Sequence, residues 1–93
     1  MRLSSSERSI IKSAILKLDP EAQIFLFGSR VDDQKKGGDI DILIFSSILK
    51  IADKAKILND IFKELEEQKI DIVIAKNSSD PFVQMIKKEA IEL

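Results

Sequence analysis

Two short segments constrain the fold of this chain more than anything else in it: Asp39-Ile40-Asp41-Ile42-Leu43-Ile44-Phe45 and Ile70-Asp71-Ile72-Val73-Ile74-Ala75. Each places isoleucine at every second position, the period of a β-strand, whose successive side chains point to opposite faces. Ile40, Ile42 and Ile44 therefore line one face of the first segment, and Ile70, Ile72 and Ile74 one face of the second. The other faces carry Asp39, Asp41, Leu43 and Phe45, and Asp71, Val73 and Ala75. If helices cover the isoleucines, all three aspartates emerge on the opposite side.

The rest of the chain supplies those helices. Ser4-Ser5-Ser6-Glu7 offers a capping box, and Ile10, Ile11, Ala14, Ile15 and Leu18 recur at helical spacing until Asp19-Pro20 stops the pattern. Gln23 to Phe27 is a further β-rich run, cut off by Gly28. After Ser46-Ser47, the stripe Ile48, Ile51, Ala52, Ala55, Leu58, Ile61, Phe62 and Leu65 predicts a long amphipathic helix, expected to be the main helix of the core. Asp80-Pro81 sets a capping residue and a proline at the start of a last helix bearing Phe82, Ile86 and Ala90 and extending toward Leu93. The order α, β, β, α, β, α predicts an α/β (α+β) fold. It is a small mixed sheet of at least three strands with helices mainly on one face, in a single domain over residues 1–93.

Composition narrows the chemistry. With 33% charged and 44% apolar residues the chain suits a soluble globular domain. No run approaches the roughly 20 apolar residues of a membrane helix, and Met1-Arg2-Leu3-Ser4-Ser5-Ser6 is too polar for a signal peptide, so a cytoplasmic protein is expected. Lys+Arg 15 against Asp+Glu 16 leaves a net charge of -1, which gives no support to a nucleic-acid or membrane partner. The chain has neither Cys nor His, so thiolate zinc sites, the usual general base and the commonest metal ligand are all missing. Any catalysis must run on carboxylates.

Asp39 and Asp41, two residues apart on one strand, bring two carboxylates to one side, where like charges raise each other's pKa unless a cation lies between them. Hard oxygen ligands favour Mg²⁺ or Mn²⁺. With Asp71 from a neighbouring strand the site can hold two ions in the geometry that clamps attacking and leaving oxygens, and Asp71 can also accept the proton of an attacking hydroxyl. An isolated Asp-x-Asp reads as a solvated strand end; company and spacing are what change its meaning. Gly28-Ser29 follows an apolar strand, where glycine permits a sharp turn whose amides and hydroxyl can face a phosphate, although the pair alone fits any strand-to-loop turn. Arg30 serves either to bind phosphate or to brace that turn, and Lys35 and Lys36 either reach a polyphosphate or an acidic partner or stay solvated.

The string Leu26-Phe27-Gly28-Ser29-Arg30-Val31-Asp32, followed by Gly37-Gly38-Asp39-Ile40-Asp41-Ile42-Leu43-Ile44, resembles the signature of the DNA polymerase beta-like nucleotidyltransferase superfamily. In size the chain looks like the minimal nucleotidyltransferases that pair with HEPN-domain proteins in toxin–antitoxin modules. The resemblance implies Mg²⁺ held by Asp39 and Asp41, a third carboxylate at Asp71, and an NTP seated partly by Gly28 and Ser29. In the paired modules the enzyme is the antitoxin and transfers AMP from ATP to a tyrosine of the HEPN toxin, releasing pyrophosphate. This chain has no Tyr, so such an acceptor must come from a partner. Nine residues, Arg30 to Gly38, separate Ser29 from Asp39, one fewer than is common in the paired antitoxins, and Asp33 stands where a glycine is often found. With no Trp or Tyr to stack a base, a partner is expected to finish the pocket, in a homo- or hetero-oligomer. The competing readings are a non-catalytic antitoxin or binding module that retains the fold, and nucleotidyl transfer to a small molecule or to RNA.

Overall fold

The computed structural model describes residues 3–28 and 39–93. Ser29, Arg30, Lys35, Lys36 and the Gly37-Gly38 pair lie outside the described residues.

Helix α1 spans Ser5–Leu16, and the expected capping box is formed: the Ser4 hydroxyl accepts from the Glu7 amide at 3.0 Å while the Glu7 carboxylate accepts from the Ser4 amide at 3.0 Å. Two amides that a helix start leaves without partners are satisfied in this way. Ile11, Ala14 and Ile15 form its buried stripe.

Strand β1 covers Gln23–Phe27, β2 Ile40–Phe45 and β3 Ile70–Ala75. A two-residue strand β4, Ile91–Glu92, completes a sheet of order β3-β2-β1-β4. Strands β1 and β2 are antiparallel, β2 and β3 parallel, and β4 runs antiparallel to β1. The mixed sheet is thus as expected, with β4 added. Two residues flanked by a helix and Leu93 give no period-2 pattern to read; pairing with Leu26 and Phe25 makes them a strand.

The connection between β2 and β3 departs from expectation. Helix α2 spans only Asp53–Ile61, and the outer part of the anticipated stripe is solvated: Ile48 is 57% and Ile51 78% exposed, and Ala52 and Ala55 are exposed too. Ile57 and Ile61, four residues apart, are the buried face, with Leu58, Phe62 and Leu65 packed partly against the core. Local side-chain bonds shift the helix start. The Ser46 hydroxyl accepts from the amides of Ile48 and Leu49 at 3.2 and 3.0 Å, and Asp53 accepts from the Lys50 amide at 2.8 Å. Residues 46–52 are folded as turns by these bonds, which compete with helix formation, and Leu49 rather than Ile48 turns inward.

Ser46 also donates to the Asp19 carboxylate at 2.5 Å, and the other Asp19 oxygen accepts from the Glu21 amide at 3.0 Å. Both side chains are buried. A buried carboxylate is tolerable only with such partners, and this one ties the turn after α1 to the turn after β2.

The core has two parts. On the isoleucine face, Ile40, Ile42, Ile44, Ile70 and Ile72, with Ile24 and Leu26, pack against Ile11, Ala14 and Ile15 of α1 and Ile57 and Ile61 of α2. The opposite face is not bare. Helix α3, Pro81–Glu89, capped by the Asp80 carboxylate on the Phe82 amide at 2.7 Å, lays Val83 and Ile86 on Phe25 and Leu43. The sequence stripe placed Phe82 on its inner face, whereas Phe82 is 54% exposed and Val83 takes that role. Phe25 and Phe45 meet edge to face at 5.7 Å, and the Lys87 ammonium lies over both rings. Two helices therefore cover the isoleucines while the third covers one end of the aspartate face. Among the described residues no helix is long and apolar enough to cross a membrane.

Candidate active site

Leu43 is fully buried in the cluster under α3, against which Phe27 also packs, and the aspartates lie at the other end of β2 and at the start of β3. The parallel register sets Asp41 beside Asp71, one strand spacing apart, about 4.8 Å between backbones. The antiparallel register sets Phe27 beside Asp41 on its other side, so Gly28 follows directly on the strand that flanks this carboxylate. Asp39 precedes β2, two residues from Asp41 and on the same face. The three acids anticipated from the strand pattern thus share one face and one end of the sheet.

Gly28 answers to a specific constraint. Its φ is +79°, a backbone state that side chains with a Cβ rarely adopt, and it is the only described residue with positive φ. A Cβ built there would collide with the Asp41 carboxylate, approaching Cγ within 3.2 Å. Gly28 therefore lies so close to the Asp41 carboxyl group that a residue with a Cβ could stand there only if the carboxylate moved. Ser29 and Arg30, the other two residues expected to seat phosphate, lie outside the described residues.

The Asp41 carboxyl is held above its ordinary value of 3.8. Burial is the largest cause, followed by the negative charges of Asp71 and Asp39 and by a hydrogen bond to Asp71 that favours the protonated form; Lys69 acts in the opposite sense. Desolvation and like-charge crowding together mark Asp41 as a candidate functional carboxylate.

Lys69 is a residue that the sequence reading passed over. Its ammonium lies 3.5 Å from Asp39 Oδ2, and its carbonyl accepts from the Ile40 amide at 3.2 Å, where the β2–β3 pairing begins. A signal for it was present: Lys69 stands two residues before Asp71, hence on the same face, one residue before the paired Ile70. What sequence could not supply is that Asp39 stands beside it, because that follows from the register of two strands some thirty residues apart.

Among the described residues no group of three or more acids forms a ready metal-ligand set, and Asp39 turns toward Lys69 instead. The donor chemistry nonetheless fits a hard divalent ion. Asp41 and Asp71 offer oxygens on adjacent strands and Asp39 lies two residues before Asp41, so at least two hard carboxylate ligands stand together at one end of the sheet.

The family model described as "Polymerase beta, Nucleotidyltransferase" matches residues 9–93, a span that contains Gly28, Asp39, Asp41 and Asp71. No curated protein matches the chain significantly.

Proposed function

We propose that this chain, which belongs to the polymerase beta nucleotidyltransferase family, transfers a nucleoside monophosphate, AMP from ATP, to a hydroxyl of a partner protein. The observation that carries the reading is the register of Asp41 against Asp71 with Gly28 closed down on the Asp41 carboxylate. In this reading Asp39, Asp41 and Asp71 hold Mg²⁺, two ions when the nucleotide is in place, with Mn²⁺ as a substitute. Such ions supply charge neutralisation at the attacking and leaving oxygens. Gly28, Ser29 and Arg30 seat the triphosphate.

Asp71, exposed at the edge of the site, takes the proton of the attacking hydroxyl. The hydroxyl oxygen forms a bond to the α-phosphorus as the bond to the bridging oxygen breaks, and pyrophosphate leaves. Asp41 is more enclosed and suits a holding role. Among the described residues the apolar cluster under α3 centres on Phe25, Leu43, Val83 and Ile86, and in this reading the acceptor is presented to the acids by another chain. The resemblance to the minimal nucleotidyltransferases of toxin–antitoxin modules supports a tyrosine of a HEPN-type toxin as that acceptor, with this protein as its antitoxin in the cytoplasm; the chain itself has no Tyr to offer.

The test is Mg²⁺-dependent transfer of labelled AMP from ATP to a co-expressed HEPN partner. Asp41→Asn removes one ligand charge and is expected to slow transfer by ~10² or more, since each 1.36 kcal/mol of lost transition-state stabilisation is tenfold in rate. Transfer at an undiminished rate by this variant overturns the reading.

A further inference from the structure

We propose that Lys69 is a tethered counter-ion of the carboxylate cluster, and that a divalent cation entering the site must displace it from Asp39. The inference rests on the metal-site reading above and adds how that site is regulated.

The geometry supports an exchange rather than a permanent ion pair. Lys69 meets Asp39 at 3.5 Å with 69% of its side chain exposed, so it is held loosely and can leave without opening the core. Its backbone is fixed by the Ile40 amide bond to the Lys69 carbonyl, so the ammonium stays within one side-chain length of the cluster after it leaves. Of the three acids, Asp39 is the one it engages, at an oxygen that a cation shared with Asp41 and Asp71 would also need. The other described ion pairs, Lys17–Asp60, Lys56–Asp53 and Lys63–Asp60, lie on α1 and α2 or just beyond their ends and do not involve the three acids. Lys69 and a cation therefore compete for the same oxygens of Asp39. One charge discharges the resting site in part; a doubly charged ion, delivered with the phosphates of a nucleotide, replaces it.

A unit charge about 6 Å from a divalent ion, screened as in water, changes that ion's affinity by about tenfold, and by less at physiological ionic strength. Mn²⁺ binding to the full chain, measured by calorimetry at low ionic strength for wild type, Lys69→Met and Lys69→Arg, tests the exchange. The expected result is Mn²⁺ affinity roughly tenfold higher in Lys69→Met, a lower melting temperature of that variant without metal, and wild-type affinity in Lys69→Arg. Equal or weaker Mn²⁺ binding in Lys69→Met, with wild type binding normally, overturns the exchange while leaving the metal site standing. No Mn²⁺ binding in any of the three proteins overturns the metal site and the exchange together.

Discussion

Replacing Gly28 by alanine tests its close approach to Asp41. The residue holds φ at +79°, and forcing a Cβ into that region costs about 1–2 kcal/mol. Alanine also restricts the unfolded chain, which returns about 0.4–1 kcal/mol, so the net loss is about 1 kcal/mol. For a chain of 93 residues that lowers the melting temperature by roughly 4–8 °C. The new Cβ meets the end of a side chain, the Asp41 carboxylate, rather than backbone, so the collision is relieved by rotating that carboxylate away and adds little to the stability loss. The rotation should be felt in function instead, because a misplacement of about 1 Å in a reacting group costs on the order of 10² in rate. Thermal unfolding by circular dichroism and Mn²⁺ titration, run side by side on Gly28→Ala, Asp41→Ala and the double variant, separate the two effects. The melting loss from Gly28→Ala should persist in the Asp41→Ala background, while its effect on Mn²⁺ binding should vanish there. A Gly28→Ala protein that melts lower but binds Mn²⁺ and transfers AMP like wild type would refute the coupling between the glycine turn and Asp41.

Three further outcomes follow from the same contacts. The Asp41 pKa is raised in the fold, so between its ordinary value of 3.8 and the raised value the native state binds more protons than the unfolded one. This group therefore costs stability at neutral pH and returns it as pH falls through the raised pKa; Asp41→Asn should remove that component, read as a flatter urea-midpoint profile between pH 7 and 4 without metal. Saturating Mg²⁺ should raise stability by mass action, about 2.7 kcal/mol at a concentration a hundredfold above Kd, and an Asp39→Ala, Asp41→Ala protein should lose the gain in thermal melts with and without Mg²⁺. Ser46→Ala deprives the buried Asp19 carboxylate of a donor, and denaturant unfolding should register a loss of about 1–3 kcal/mol.

Much of this protein is written locally. The capping box at Ser4 and Glu7, the Asp80-Pro81 helix start, the limits of β1 and β3, and the division of isoleucines from aspartates are readable because a cap or a strand face depends on residues within a few positions of one another. Glycine at position 28 is legible as a turn for the same reason, though its closeness to Asp41 is not. The α2 stripe failed because two side chains, Ser46 and Asp53, captured amides that the pattern assigned to a helix. The identity of the buried face, Ile57 and Ile61, was settled by what lay beneath it.

Sequence by itself thus determined which residues are acids on a strand face, and which element each occupies. Tertiary structure decided that Asp41 stands against Asp71 rather than two residues off, that Lys69 stands against Asp39, that α3 packs on Phe25 and Leu43 of that face, and that Ile91 and Glu92 form a strand. The physical reason is that a period-2 pattern fixes the face of a side chain but not its partner. A slip of two residues would leave every isoleucine buried, and only the packing of α1, α2 and α3 on a particular register selects the one that gathers the carboxylates.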